Sequence, residues 1–331
     1  MKAGDGAAQY QPVAWLRNAH LQSILPSLPP RRYYTRYRSR GWRRAAQPWL
    51  LDCGDGVRLQ AWHSRSAAPR GRTALLLHGW EGSADSCYVL SLGTQLLAAG
   101  YDLLRLNLRD HGGTHGLNAG LFHSCRLSDV TGALRAVAAR LGAEPLYLAG
   151  FSLGGNFLLR AAAEPDLPSH VVGVVAISPV LDPSRALDAI EDGARVYHQY
   201  FVRKWSASLR IKQRLWPDEY DFTERMRSRN LRRMTDELVC AHTEFGDVDS
   251  YLDGYAITGA RLLTLRVPAR ILAADDDPII PSADLVRIAP AAALQITRTP
   301  HGGHCGFLTT LFGQAWCDRF VLEQFEQFSA R

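Results

Sequence analysis

No Cys-x-x-Cys pair occurs in this chain, although it holds six cysteines, at positions 53, 87, 125, 240, 305 and 317. Scattered in this way they suggest neither a zinc site nor a redox pair, and they read as the reduced thiols of a cytoplasmic protein. No apolar run approaches the roughly 20 residues needed to span a bilayer. Residues 1–11 lack the basic start and apolar core of a secretory signal. Gly-x-Gly-x-x-Gly and the phosphate-binding P-loop are both missing, which removes the usual nucleotide signatures. No internal repeat, low-complexity tract or long linker divides the chain. What remains is 331 residues, 47% of them hydrophobic, enough for one large domain with an insertion.

One run then stands out. Residues 146–149 are apolar and strand-like, Gly150-Phe151-Ser152-Leu153-Gly154 follows, and 157–163 reads as a helix. A sharp turn between a strand and a helix lifts a serine hydroxyl out of a sheet. Glycines at 150 and 154 spare that bend side-chain collisions. The helix N-terminus aims free N–H groups at the place where an oxyanion would form. Ser152 is therefore the candidate nucleophile, and it needs a base, because a serine hydroxyl alone is a weak nucleophile.

The base is expected late in the chain, on a loop after the last strand. His304 lies in His301-Gly302-Gly303-His304-Cys305-Gly306-Phe307, between a strand-like stretch at 293–297 and a helix-like one at 311–328. Flanking glycines let an imidazole approach without crowding. His301 competes from the same loop as a structural histidine, and Cys305 reads as a packed small residue beside the base. The acid that orients the histidine should end the preceding strand, 270–274. Three carboxylates follow it, in Asp275-Asp276-Asp277-Pro278-Ile279-Ile280-Pro281. Pro278 biases Asp277 toward an extended backbone, so Asp277 is the expected acid and Asp276 the alternative.

An oxyanion site needs two backbone donors. The Leu153 N–H, next to the nucleophile, is one. The other is expected from His78-Gly79-Trp80-Glu81-Gly82, which follows a buried-strand run at 73–77 and offers the Trp80 N–H. His78 reads as a structural loop residue.

The order Ser152, Asp277, His304 is that of the α/β hydrolases, and the chain resembles that superfamily, in particular its YheT-like branch, which includes mammalian abhydrolase-domain lipid hydrolases. Four segments carry the resemblance: Trp15-Leu16-Arg17-Asn18-Ala19-His20-Leu21-Gln22-Ser23-Ile24, similar to an NPHLQT signature; His78-Gly79-Trp80-Glu81-Gly82-Ser83, similar to HGLEGS; Gly150 to Asn156, similar to GxSxGGN; and Gly302 to Phe307, similar to GGHxGF. The family's Arg-Gly-Cys-Ser-Gly-like loop is replaced here by Asn107-Leu108-Arg109-Asp110-His111-Gly112-Gly113-Thr114-His115-Gly116. The resemblance implies carboxylic-ester hydrolysis, with lipid or short acyl esters as substrates.

Strand-like runs at 57–62, 73–77, 102–107, 146–149, 171–177, 270–274 and 293–297 alternate with helix-like runs at 88–99, 127–141, 157–163, 283–288 and 311–328. That alternation predicts an α/β fold of the hydrolase type, a mostly parallel sheet with helices on both faces. An antiparallel hairpin through Asp55-Gly56 is expected at its start. The expected division is an N-terminal extension at 1–48 packing on the core, a core at 49–183 and 264–331, and a helical cap at 184–263 that helps to form the pocket.

Net charge is +6, and much of the excess lies in residues 31–44, where arginines alternate with tyrosines. The expectation is an extension with solvated arginines and buried aromatics. Contact with an anionic membrane surface, peripheral on its inner side, is the second reading, and nucleic acid is not an expected partner. Asp110, His111 and His115 flank glycines in a loop, so no helical ligand pair forms, and neither a metal nor an organic cofactor is expected. The site predicts that His304 takes the Ser152 proton as Ser152 attacks an ester carbonyl, that an acyl-enzyme forms, and that water releases the acid. An acyltransferase with an alcohol or thiol acceptor, or a non-catalytic binding protein, would share the fold. Oligomeric state is not legible.

Overall fold

A computed structural model describes residues 10–330, so the first nine residues of the expected extension and Arg331 lie outside the described residues. Among the described residues a 3-10 stretch, Ala14–Arg17, precedes two helices, α1 (Ala19–Ile24) and α2 (Pro29–Arg44), and the hairpin β1 (Gln47–Asp52) and β2 (Arg58–Ser64) follows. The alternating part follows as β3 (Thr73–Leu77), α3 (Cys87–Ala98), β4 (Asp102–Leu106), α4 (Leu127–Leu141), β5 (Leu146–Phe151), α5 (Leu153–Ala163) and β6 (Val171–Ile177). Four helices come next, α6 (Pro183–Asp192), α7 (Arg195–Leu215), α8 (Leu231–His242) and α9 (Val248–Gly254), before β7 (Ala269–Ala274), β8 (Leu294–Thr299) and α10 (Trp316–Ser329).

The eight strands form one sheet in the order β1-β2-β4-β3-β5-β6-β7-β8. β1 with β2 and β2 with β4 are antiparallel; every other pair is parallel. Strands β3, β5 and β7 are buried along their whole length, as parallel strands covered on both faces should be. Alternate side chains feed two cores: Leu75 and Leu77 of β3 join the core made with α4 and α5, and Ala74 and Leu76 the one made with α3 and α10. Among the described residues no helix is long and apolar enough to cross a membrane.

Three expectations need correction. The helix expected at 283–288 is a single 3-10 stretch, Ser282–Arg287. The last helix begins at Trp316 rather than 311, because Gly313 sits at φ 124°, outside helical space. The arginine-tyrosine run is helix α2; Arg32, Arg36, Arg38, Arg40 and Arg44 are exposed as expected, but Arg31 is buried and two of the tyrosines are not. Arg31, Thr35 and Ser39, four residues apart, form its inward stripe, and Arg31 donates to the Leu311 carbonyl at 3.1 Å. Tyr33 and Tyr37 are instead 67% and 61% exposed.

Two buried ion pairs fasten the loop after β4. Arg109 holds Asp129 through two hydrogen bonds of 2.8 and 2.9 Å, which ties the loop after β4 to the start of α4. Lys212 of α7 donates to Asp110 at 2.9 Å and to the carbonyl of Asn118 at 2.6 Å. Breaking one partner of such a pair strands the other charge. Asp129→Ala is expected to cost about 3–5 kcal/mol of unfolding free energy in urea denaturation, and a loss near that of an exposed pair, below about 1 kcal/mol, would contradict this assignment.

Candidate active site

Ser152 sits at the junction of β5 and α5 with φ 52° and ψ −120°, backbone that L-residues seldom adopt. The turn is too tight for side chains. A Cβ on Gly150 would lie 2.5 Å from the Gly154 carbonyl oxygen, and one on Gly154 would lie 2.4 Å from that of His78. The Ser152 N–H donates to the Ile177 carbonyl at 2.9 Å, which fastens the turn to the neighbouring strand β6.

The structure brings together Ser152, His304 and Asp277. His304 Nε2 lies 3.0 Å from Ser152 Oγ, and His304 Nδ1 lies 2.9 Å from Asp277 Oδ2. The other oxygen of Asp277 accepts the N–H groups of Ile279 and Ile280 at 2.9 and 3.0 Å, so the turn fixes the carboxylate. Burial would lower the affinity of the His304 imidazole for a proton, but the Asp277 charge and hydrogen bond outweigh it. The pKa stands well above the ordinary 6.5.

The neighbouring carboxylates turn elsewhere. Asp276 accepts the Gly303 N–H at 2.9 Å and lies 3.4 Å from His301 Nδ1, whereas Asp275 pairs with Arg298 at 2.7 Å. Asp276 and His301 thus brace the loop that carries His304 and stay outside the Ser152–His304–Asp277 chain. Cys305 is buried, its N–H donating to Ser178 Oγ at 3.4 Å and its thiol to the Ile177 carbonyl at 3.6 Å.

The two expected backbone donors flank Ser152. Leu153 is the first residue of α5, so its N–H has no partner within the helix. In the Trp80 loop the other amides are engaged: Gly79 N–H donates to Tyr88 Oη, Glu81 N–H to His111 Nε2 and Gly82 N–H back to the Gly79 carbonyl. The Trp80 N–H is the one left over among the described residues. A Cβ on Gly79 would sit 3.1 Å from Ser152 Cβ, so the loop passes close to the nucleophile.

Two groups named in the sequence make contacts that the sequence did not show, and His78 is the structural loop residue expected. His78 and His111 form a buried neutral pair, rings 5.1 Å apart. His78 Nδ1–H donates to the Gly79 carbonyl and His111 Nδ1–H to that of Arg109, which leaves each Nε2 to accept a backbone N–H. Burial lowers both, His78 to about 4, so they stay uncharged. His111 therefore shapes the Trp80 loop from within the segment that departs from the family pattern. The second group is α1. Ser23 Oγ accepts the His304 N–H at 2.8 Å. Gln22 donates to the carbonyls of Leu16 and Leu308 and accepts the Leu308 N–H at 2.7 Å. Closeness of the two backbones requires glycine: a Cβ on Gly303 would lie 2.4 Å from the Ala19 carbonyl, and one on Gly306 would lie 2.2 Å from that of Gln22. The polar run Asn18 to Ser23 was visible; its partner nearly the whole chain away was not.

Ser152 and His304 open on a cavity of about 1080 Å³. Trp80 stacks on Phe201 of α7, ring centroids 5.1 Å apart, and meets Trp205 edge-on at 5.3 Å. Glu81 faces the same space, and burial pushes its carboxyl up to about 7.

Comparison with known proteins agrees with this architecture. A family model described as alpha/beta hydrolase fold matches residues 74–310. The candidate esterase YheT of Escherichia coli (strain K12) is 29% identical over 328 residues, an overlap of 95% of this chain and 92% of YheT. Human protein ABHD15 is 28% identical over 345 residues, 96% of this chain and 69% of its own. Among solved structures, Est1E of Butyrivibrio proteoclasticus with ferulic acid bound superposes with TM-score 0.55 at 18% identity, covering 86% of this chain and 100% of that one. The Pyrococcus furiosus esterase Pf2001 gives TM-score 0.54 at 15% identity, with 86% and 89% covered.

If α1 seats the histidine loop, Gln22→Ala should strand two buried backbone groups, the Leu16 carbonyl and the Leu308 N–H, at a cost of about 2–3 kcal/mol, while the Leu308 carbonyl keeps the Tyr10 hydroxyl at 3.1 Å. It should also speed amide hydrogen exchange at residues 303–308 before the rest of the sheet. Unchanged exchange there would show that the loop holds itself.

Proposed function

The chain belongs to the α/β-hydrolase fold family, and from that premise we propose that it is a serine hydrolase of carboxylic esters. The observation that carries this reading is the unbroken hydrogen-bonded chain from Ser152 Oγ through the His304 ring to Asp277, 3.0 and 2.9 Å per link, at a strained strand–helix turn. The esterase names of YheT and of the structural neighbours support the same chemistry.

In this reading His304 Nε2 takes the Ser152 proton as Oγ adds to the ester carbonyl. The N–H groups of Leu153 and Trp80 receive the oxyanion, an arrangement in which each donor is typically worth about 10²–10³ in rate. The protonated imidazole is stabilised by Asp277 and hands its proton to the leaving alcohol as the C–O bond breaks. Water then repeats the sequence on the acyl-Ser152, releasing the acid and restoring the serine. The helices between β6 and β7 act as the cap, with Phe201 and Trp205 forming the wall opposite the Trp80 loop. The segment before β1 acts as an extension that seats the histidine loop. The substrate is a small-molecule or lipid ester.

Ser152→Ala should lose covalent labelling by a fluorophosphonate and lower p-nitrophenyl ester turnover by roughly 10³-fold or more; full labelling of that variant would refute the nucleophile.

The pH profile follows from the histidine. His304 works as a base only when neutral, and Asp277 favours its charged form, so kcat/KM should rise with pH along a limb centred above 6.5. Asp277→Asn should move that limb down and slow turnover by roughly 10³–10⁴-fold. A limb that stays in place in the variant would remove Asp277 from the chain.

A further inference from the structure

The mouth of the cavity carries a charge imbalance that the ester chemistry leaves unused. Three carboxylates line the cavity, and two are neutralised from outside it: Asp85 by Arg43 and Arg105, and Asp110 by Lys212. Only Glu81 remains, and burial already favours its uncharged form. Four cations line the same cavity: Arg32 and Arg36 on α2, and Arg203 and Lys204 on α7. All four are exposed, and none makes a salt bridge among the described residues. Arg32 rests over the Tyr33 ring at 5.9 Å and Lys204 over Tyr200 at 6.0 Å, contacts that carry no net negative charge, and Lys204 also acts on the half-neutral Glu81 carboxyl.

The two helices bring these charges to one place. Burial raises the Cys87 thiol, and the charges of Arg36 and Arg32 draw it back. Tyr200, raised by burial and by Glu81, feels both Arg203 and Cys87. Cys87 and Tyr200 line the cavity, so the α2 arginines and the α7 cations face one opening. Cations gathered around a cleft with low-dielectric walls focus a field that draws anions in. Arginine in particular offers paired donors that match a phosphate or carboxylate. Inside the rim the wall is aromatic and aliphatic, with Trp80, Phe201, Trp205 and Leu238.

We infer that the preferred ester is an anionic amphiphile, whose apolar part fills the cavity while a phosphate or carboxylate group is held at the mouth between α2 and α7 by Arg32, Arg36, Arg203 and Lys204. This substrate class rests on the ester-hydrolase reading above. The phosphate or carboxylate is recognised on a single dissolved molecule, whether that molecule is a lipid or a simple ester.

The test compares 1-octanoyl-glycerol with 1-octanoyl-glycerol-3-phosphate, below the concentration at which either aggregates. The same acyl bond is cut in both, so the difference isolates the anion. Wild-type protein should favour the phosphate-bearing ester by about tenfold or more in kcat/KM, mainly through KM, with the preference shrinking as salt is added. In an R32Q/R36Q double variant the ratio should fall toward about one. Equal rates for the two esters in wild-type protein would overturn the inference while leaving ester hydrolysis intact. A preference seen only on vesicles of anionic lipid would also overturn it, because the arginines would then serve a membrane surface and not the substrate. Hydrolysis of neither would count against the ester reading, and calorimetry still decides the rim. Octyl phosphate should bind wild-type protein at least about tenfold more tightly than octanol does, and equal binding refutes the site.

Discussion

The His304 imidazole reaches Ser152 because its loop is pressed against α1 with no side chains in between. Gly303 and Gly306 bring two backbones so close that a single methyl group would meet carbonyl oxygens of Ala19 and Gln22. Close approach leaves polar backbone groups buried, and burying them unpaired would be costly. Gln22 pairs the Leu308 amide and carbonyl, and Ser23 takes the His304 amide. The position of the His304 ring is therefore tied to α1, and the strained Ser152 turn has a fixed partner to face.

A second network fixes the opposite side of the site. His78 and His111 are held neutral by burial, each with its Nδ1–H committed to a carbonyl, so each Nε2 can only accept. A protonated ring at either place would have no acceptor for its second proton. The Glu81 amide is thereby anchored, and the Trp80 amide, one residue earlier in the same loop, has no hydrogen-bond partner among the described residues. Both loops around Ser152 are thus positioned by side chains outside the Ser152–His304–Asp277 chain.

How much of this the sequence carried depends on how local each determinant is. The bounds of β3 and β6 match the expected runs 73–77 and 171–177, because strands buried on both faces are apolar throughout. The Ser152 turn was legible for the same reason of locality: strand, glycines and helix are contiguous. Choosing among Asp275, Asp276 and Asp277 was harder, since all three end one strand. The hydrogen bonds from Ile279 and Ile280 decide which carboxylate the turn aims at His304. Helix α2 was misread because its buried stripe is polar. Arg31 and Ser39 satisfy their polar groups against the carbonyls of Leu311 and Thr35, so hydropathy gives no hint of the inward face. The seat provided by Gln22 and Ser23 was illegible because the contact spans about the whole chain and leaves no local trace.

Helix α7 links these parts. Near its start, Tyr197 Oη meets His20 Nδ1 of α1 at 2.9 Å. Near its end, the buried Lys212 pairs with Asp110 in the loop after β4. Between them Phe201 and Trp205 press on Trp80. A helix fastened at both ends, one end by a buried ion pair whose rupture costs several kcal/mol, does not swing as a free lid. It is a wall, and its spacing from the Trp80 loop is a fixed property of the site. The cavity that this wall bounds is also lined by the exposed cations of α2 and α7. The loop that departs from the family pattern, residues 107–116, matters for the same reason: Asp110, His111 and His115 all use it to fasten α7 and the Trp80 loop to the sheet.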